Sequence, residues 1–200
     1  MKTSIRKTQR NGSHAAGVLL SLMMLFSVFA NVSVSAQEPD GDSWKKDQIP
    51  GPLSSLVPCT PKGIINYLHF EKIPMQGKNA VVIGRSNIVG KPMAKLLLKE
   101  NMNVTILHSK TTPEDMAFYI AHADIIVVAI GKAGFLDNRF TYKKDAVIVD
   151  VGISRTDDGL KGDAIPNLPV GLQTPVPGGV GLATRLALYE NLLEIYCVNK

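Results

Sequence analysis

The sequence predicts an α/β fold built on one doubly wound parallel sheet, and two patterns carry that prediction. Short runs of apolar, mostly β-branched residues recur between residues 79 and 152, each bounded by glycine or a polar turn. Such runs are typical of strands that are buried on both faces. Segments with helical spacing separate them, which favours parallel strands joined by crossover helices. This is the Rossmann-like class, in which ligands bind at the carboxyl ends of the strands.

The single ordered domain is predicted to begin near Pro58. In the stretch PCTPKGIINYLHFEKIP, Thr60 is a candidate N-cap and Pro61 a candidate first helical residue, because proline is tolerated in the first turn. This helix is predicted to end before Pro74. Four strands are predicted after it, at the runs NAVVIG, NVTILHS, DIIVVAIG and DAVIVDVG.

Helices are predicted between and after these strands. Residues 88–101 and 113–122 carry apolar residues at helical spacing. The stretch TPVPGGVG (174–181) predicts an extended loop that leads into a last helix. Its glycines would allow positive φ and a close approach to a ligand; they are Gly178, Gly179 and Gly181. The last helix is expected to have an apolar face formed by Leu186, Leu188, Leu192 and Leu193.

The first 57 residues differ from the rest in composition. Residues 1–36 hold four basic residues and no acidic residue, then the apolar run AAGVLLSLMMLFSVFA and small residues ending at Ala36. This order is typical of a secretory signal peptide, which would export the chain or, uncleaved, tether it to a membrane. A start that is not native to this domain is the alternative. Residues 37–57 mix proline, glycine, aspartate and serine and are interpreted as a linker, which leaves 58–200 as the domain.

Charge and cysteine content exclude several classes of function. The net charge is +5, but residues 58–200 and the linker together carry only +1, so the basicity does not indicate a nucleic-acid partner. The two cysteines, Cys59 and Cys197, lie far apart without C-x-x-C spacing. Neither a disulfide framework nor a metal site is predicted.

The turn GRSNIVG (84–90) after the first strand is the first candidate for a ligand contact, because this turn faces the ligand in such folds. Gly84 would permit a tight bend, and Gly90 would let the helix lie close to the sheet. Ser86 stands where G-x-G-x-x-G has its middle glycine, and its hydroxyl can donate. Backbone N–H groups at the helix start favour a phosphate. A purely structural turn is the alternative.

The end of the second predicted strand favours NADP over NAD. NAD-binding domains usually place an acidic residue there to bind the ribose 2′-hydroxyl. The sequence has His108, Ser109 and Lys110 instead. No carboxylate in this stretch would repel a 2′-phosphate. The Ser109 hydroxyl can hydrogen-bond such a phosphate, and the Arg85 guanidinium can reach it as a bidentate donor. The alternative is that Arg85 and Lys110 are solvated surface charges.

Seven motifs together resemble a known family. In chain order they are PCTPKGI, GRSNIVGKP, HSKT, ADIIVVAIGKAGF, DVGI, GD (162–163) and TPVPGGVG. Over residues 51–196 the chain resembles the NADP-binding domain of the bifunctional methylenetetrahydrofolate dehydrogenase/methenyltetrahydrofolate cyclohydrolase enzymes. The resemblance implies NADP-dependent oxidation of 5,10-methylenetetrahydrofolate, hydrolysis of the methenyl product to 10-formyltetrahydrofolate, and homodimers. It implies cofactor contacts at Gly84, Arg85, Ser86, Ser109, Ile153, Pro177, Gly178, Gly179 and Val180.

The chain also departs from that family where catalysis is concerned. The family's N-terminal domain supplies a Tyr-x-x-x-Lys helix, whose lysine is catalytic, and a Gln-Leu-Pro stretch that contacts folate. Gln-Leu-Pro does not occur here, and the Tyr-x-x-x-Lys match at Tyr196–Lys200 lies in the wrong domain, so no catalytic residue is identified. Leu182 stands where the family usually has proline. The chain by itself is expected to show no turnover, and a non-catalytic NADP-binding module or a truncated or misjoined fragment is the alternative.

Overall fold

A five-stranded parallel sheet runs through the computed structural model, which describes residues 56–157 and 159–198. The predicted signal peptide and most of the predicted linker lie outside these residues. The elements are, in chain order, α1 (Cys59–Phe70), β1 (Asn79–Ile83), α2 (Gly90–Lys99), β2 (Asn103–Leu107), α3 (Pro113–His122), β3 (Ile125–Val128), β4 (Val147–Asp150), β5 (Ser154–Thr156), β6 (Gly159–Lys161), β7 (Leu172–Gln173) and α4 (Val180–Val198).

The sheet has the strand order β2-β1-β3-β4-β7, and each neighbouring pair is parallel. The predicted α/β class and all four predicted strands are confirmed. The structure adds β7 as a short edge strand and an antiparallel pair, β5 and β6, outside the main sheet. Each of these three strands has only two or three residues. Such segments are too short to show a periodic pattern in the sequence.

Two apolar clusters fill the two faces of the sheet. Alternate residues of a strand point to opposite faces, and β1 divides accordingly. Ala80 and Val82 join a cluster with residues of α1, α2 and α4, whereas Val81 and Ile83 join a cluster that includes Ile120 of α3. Helices therefore cover both faces, which is the doubly wound arrangement that the sequence predicts.

The helix starts differ from the predictions in detail. Pro58, not Thr60, occupies the N-cap of α1, and no side chain caps that helix. Thr60 instead accepts a hydrogen bond at 3.1 Å from the Thr184 hydroxyl of α4. The second helix begins at Gly90 rather than Ile88, because the preceding residues form the turn after β1. The third helix has the predicted bounds.

The contact between α1 and α4 is made by small and polar residues. Gly63 lies directly against the backbone of Ala183, so that a Cβ on Gly63 would collide with the Ala183 carbonyl. Lys62 Nζ donates to Asn191 Oδ1 at 2.8 Å and to Glu194 Oε1 at 2.6 Å. The leucines of the predicted apolar face are 55–62% exposed; they are Leu186, Leu188, Leu192 and Leu193. The apolar face predicted for α4 is therefore exposed in the structure, and α1 packs on other residues of this helix.

Asp124 links the amino ends of β1 and β3. Its carboxylate accepts the N–H of Asn79 at 2.8 Å and the ammonium group of Lys143 at 2.7 Å. Burial raises the pKa of Asp124, but the hydrogen bonds from Lys143 and Asn79, with the charges of Lys143 and Lys78, outweigh it. The pKa therefore lies below its ordinary value. Such a carboxylate stabilises the fold above the unfolded-state pKa, and this contribution is lost as the pH falls through the folded-state pKa.

Asp124→Asn should consequently lower the free energy of unfolding at pH 7 by roughly 1–2 kcal/mol. The difference from wild type should shrink as the pH falls below about 4, because the wild-type carboxylate then becomes protonated as well. Denaturant titrations of both proteins at pH 7 and pH 3 measure this. An equal difference at the two pH values would contradict the role given to the charge.

Candidate functional site

The sheet has a topological switch point beside β1. β2 lies on one side of β1 and β3 on the other, so the connections that leave β1 and β2 run in different directions. Ligands of open α/β sheets bind in the crevice outside the carboxyl ends of the strands at such a point. The turn 84–90, the turn 108–112 and the loop that begins at Ile130 follow β1, β2 and β3 at this edge. Ile153 follows β4.

Two glycines shape the turn after β1. Gly84 has φ +125°, a conformation that favours glycine, and a Cβ there would collide with the Ala129 carbonyl at the end of β3. A Cβ on Gly90 would collide with the carbonyl of Gly84. The close approach predicted at Gly90 is thus an approach to the turn itself rather than to the sheet. Both positions require the absence of a side chain.

Ser86 holds the start of α2 and keeps a hydroxyl proton to donate. Its Oγ accepts the N–H groups of Val89 at 3.1 Å and Gly90 at 3.2 Å. Val89 occupies the N-cap position of α2, but its apolar side chain cannot accept a hydrogen bond. The Ser86 side chain therefore caps the helix in its place. Within residues 56–157 and 159–198, the N–H groups of residues 85–88 donate to no acceptor. These groups, at the positive end of α2, are available to a phosphate.

The register between β1 and β2 brings Arg85 and Ser109 to neighbouring places. Ile83 pairs with Leu107, and each of the two residues lies two positions beyond its strand end. His108 braces its own turn, because its N–H donates to Thr111 Oγ1 at 3.0 Å and its Nδ1 accepts the Lys110 N–H at 3.2 Å. In the described part of the chain, neither the Arg85 guanidinium nor the Ser109 hydroxyl has a partner.

Two openings are lined by residues that follow the strands of the sheet. A groove of about 680 Å³ lies at the β2 side, and residues from the second turn and the β3 loop line it, including His108, Ser109 and Lys132. A cavity of about 280 Å³ lies at the β4 side, and its lining contains the remaining predicted contacts: Ile153, Pro177, Gly178, Gly179 and Val180. In the strand order β1 lies between β2 and β3, so the turn 84–90 follows the strand whose two neighbours supply the lining of the groove. The structure therefore arranges all the predicted contact residues along one edge.

The three glycines at the start of α4 and in the loop before it differ in conformation. Gly178 has φ +99°, and a Cβ on Gly179 would collide with the Pro175 carbonyl. Gly181 lies inside α4, where its φ is not positive and a Cβ would meet nothing within 4 Å. Of these three glycines, only Gly178 adopts the positive φ that they allow; Gly179 and Gly181 do not.

Two buried carboxylates below this edge are absent from the sequence-based predictions. Asp150 and Asp163 are 2% and 0% exposed. Asp150 accepts the N–H groups of Gly152, Asp163 and Ala164 at 2.8–3.0 Å. Burial raises the pKa of Asp150 and the Asp163 charge adds to this, while the three hydrogen bonds oppose it. The motifs DVGI and GD contain both residues, but nothing local in them shows that the Asp150 carboxylate accepts the Asp163 N–H.

The described residues offer no group of side chains suited to a metal ion. Among residues 56–157 and 159–198, no three or more His, Cys, Asp or Glu side chains are grouped so that they could hold one. No helix in these ranges combines the length and the apolar character needed to cross a membrane.

A parallel sheet with a switch point, a glycine turn with open N–H groups, and a flanking groove and cavity define a Rossmann-like, dinucleotide-binding domain. Residues 58–200 match the family model described as the tetrahydrofolate dehydrogenase/cyclohydrolase NAD(P)-binding domain. The chain belongs to the tetrahydrofolate dehydrogenase/cyclohydrolase family.

Curated relatives and a solved structure agree with this assignment. The bifunctional protein FolD of Wolbachia pipientis subsp. Culex pipiens is 38% identical over 206 residues, which cover 96% of this chain and 69% of that protein. FolD of Staphylococcus aureus (strain Newman) is 49% identical over 144 residues, covering 70% and 49%. The Trypanosoma brucei FolD structure, complexed with NADP cofactor and an inhibitor, has a TM-score of 0.66 at 34% identity, covering 72% and 51%. The chain thus spans about half to two-thirds of these proteins' lengths.

Proposed function

We propose that this chain supplies the NADP-binding part of a methylenetetrahydrofolate dehydrogenase/methenyltetrahydrofolate cyclohydrolase, an activity of one-carbon metabolism. The placement of Arg85 and Ser109 supports NADP rather than NAD as the cofactor. Both follow adjacent strands at the cofactor edge, and the turn 108–112 contains no carboxylate. A 2′-phosphate placed between them would meet a guanidinium and a hydroxyl, and no acidic group of that turn would repel it.

The proposed course of the cofactor follows the strand order. The adenosine end would occupy the groove beside Ser109, and the pyrophosphate would lie on the open N–H groups of the turn 84–90. The nicotinamide end would enter the cavity that Ile153 and residues 177–180 line. When bound, NADP+ supplies the hydride acceptor.

The chain's own contribution to the reaction is positioning. The TPVPGGVG loop forms one wall of the cavity at the nicotinamide end. Much of the rate gain in a hydride transfer comes from holding the donor carbon near the acceptor and excluding water. Tetrahydrofolate derivatives are the proposed substrates, and this loop would hold their reacting carbon beside the nicotinamide. The group that activates water in the cyclohydrolase step is not identified among the described residues.

Two further parts of the proposal rest on the family and on the composition of the first 36 residues. A homodimer is proposed, as is export or tethering through residues 1–36. A non-catalytic NADP-binding module is the second candidate.

Calorimetric titration of the full chain with NADP+ and NAD+ tests the cofactor choice. NADP+ should bind at least about tenfold more tightly, because the 2′-phosphate adds charge-assisted hydrogen bonds worth roughly 1–3 kcal/mol. Equal affinities, or tighter binding of NAD+, would overturn the 2′-phosphate argument. A spectrophotometric assay with 5,10-methylenetetrahydrofolate and NADP+ separates the two candidates, since only the enzyme forms NADPH.

A further inference from the structure

Asp163 binds the loop that follows β3, which lies beside the turn 84–90 at the carboxyl edge of the sheet. Its Oδ2 accepts the N–H groups of Ile130 at 2.8 Å and Gly131 at 2.9 Å, and its Oδ1 accepts the N–H of Lys132 at 2.6 Å. Three successive peptides after β3 therefore donate to one fully buried carboxylate. Gly152 packs directly on this carboxylate, where a Cβ would collide with it. Any residue other than glycine at position 152 would therefore displace the Asp163 carboxylate.

The three hydrogen bonds fix which way the carbonyl groups of the same peptides point. In a planar trans peptide the N–H and C=O groups point in opposite directions. The carbonyls of Ala129, Ile130 and Gly131 therefore point away from Asp163. The position of the first supports this, because the Ala129 carbonyl lies directly against Gly84, the first residue of the turn 84–90.

We propose that Asp163 is a positioning residue for the dinucleotide, and this inference rests on the proposed function. By drawing the N–H groups of residues 130–132 into the protein, it makes this wall of the crevice a row of hydrogen-bond acceptors. Such a wall suits the hydroxyl and amino donors of the cofactor's sugars and bases and repels phosphate oxygens. The pyrophosphate is thereby confined to the turn 84–90, where N–H groups are open.

Neighbouring backbone hydrogen bonds show that Asp163 acts locally on this wall. Leu136 N–H donates to the Asp163 carbonyl at 2.9 Å, and Gly134 N–H donates to the Gly162 carbonyl at 3.0 Å. These bonds hold residues 134–136 without the carboxylate. Only residues 130–132, the part next to the crevice, depend on the Asp163 side chain. Loss of the carboxylate should therefore change the wall more than the fold.

The test is Asp163→Asn in the full chain. Asparagine keeps the shape but offers one oxygen, and its NH2 group would face a backbone donor, so at least one peptide must turn. The dissociation constants of NADP+ and NAD+ should both rise about tenfold or more, by the same factor, because the wall contacts parts that the two cofactors share. Hydrogen exchange at the amides of residues 130–132 should accelerate, which distinguishes this role from a general loss of stability.

Asp124→Asn is the matched control. Asp124 is also a shielded carboxylate that accepts a backbone N–H, but it lies at the amino edge of the same sheet. Its replacement should leave both dissociation constants unchanged. If Asp163→Asn does not fold, Gly131→Ala takes its place in the test. Gly131 has φ +66°, which strains an alanine backbone, but a Cβ there would meet no atom within 4 Å. The backbone strain of this variant therefore stays within the turn. Both dissociation constants should then rise several-fold, by a common factor.

The outcomes separate this inference from the proposed function. A wild-type chain that binds neither dinucleotide overturns both. A wild-type chain that binds normally, with Asp163→Asn or its substitute binding equally well, overturns the role of Asp163 alone. A variant that loses affinity for NADP+ only also overturns it, because that result would place the effect at the 2′-phosphate.

Discussion

Arg85→Ala should weaken the binding of NADP+ by about 1–3 kcal/mol, roughly 5- to 150-fold, and leave the binding of NAD+ nearly unchanged. The expected loss is that of a charge-assisted hydrogen bond to the 2′-phosphate, which only NADP+ carries. The fold should be unaffected, because the Arg85 side chain is exposed and has no partner in the described part of the chain. Calorimetric titrations of the variant with both cofactors measure the effect.

A matched control separates a specific contact from general attraction of an anion. Lys144 is also exposed, but it precedes β4 and so lies toward the amino edge of the sheet, away from the proposed crevice. Lys144→Ala changes the net charge by the same amount and should leave the affinity for NADP+ within about twofold, since exposed charges at that separation are largely screened. If both variants lose affinity equally, Arg85 is one of the solvated surface charges and the specific contact does not exist.

Local patterns account for the parts of this fold that the sequence predicts well. Three of the four main strands, β1, β3 and β4, are β-branched runs that are buried on both faces, as such runs indicate, whereas β2 at the edge of the sheet is only partly buried. The turn at Gly84 could be predicted because glycine supplies a backbone conformation that other residues avoid. The helix at Pro113–His122 carries its own start signal, since Thr112 accepts the N–H of Asp115 at 3.1 Å. Each of these features is fixed by residues within one turn or one strand.

Features that depend on distant partners could not be predicted in the same way. Asp163 contacts residues more than 30 positions earlier in the chain, and its motif looks like an ordinary turn. Thr60 has the residue type and position of a cap for its own helix, but its partner Thr184 lies in α4. The leucines of α4 show helical periodicity on more than one face, and only the tertiary structure decides which face is packed. In this structure α1 packs on the small and polar face of α4, because Gly63 allows the backbones of the two helices to come into contact.

Gly63→Ala should therefore destabilise the domain by about 1–3 kcal/mol, the usual cost of adding a methyl group to a filled contact. The added Cβ would collide with the backbone of Ala183, which cannot move aside as a flexible side chain can. In an exposed helix interior the same change is stabilising by up to about 1 kcal/mol. A net loss in denaturant titrations thus isolates the contact between α1 and α4 from helix propensity.

Gly181→Ala gives the matched comparison on the partner helix. Gly181 lies in α4 without a positive φ, and no atom lies within 4 Å of the place that a Cβ would occupy, so alanine should stabilise the domain by about 0.4–1 kcal/mol. Opposite signs for the two substitutions are expected only if α1 and α4 are in backbone contact at Gly63. Thr60 of α1 and Thr184 of α4 both line the cavity that we propose for the nicotinamide. Because Gly63→Ala forces the two helices apart, it should also weaken the binding of the cofactor. If the domain loses stability but keeps its full affinity for NADP+, this helix pair does not shape the site.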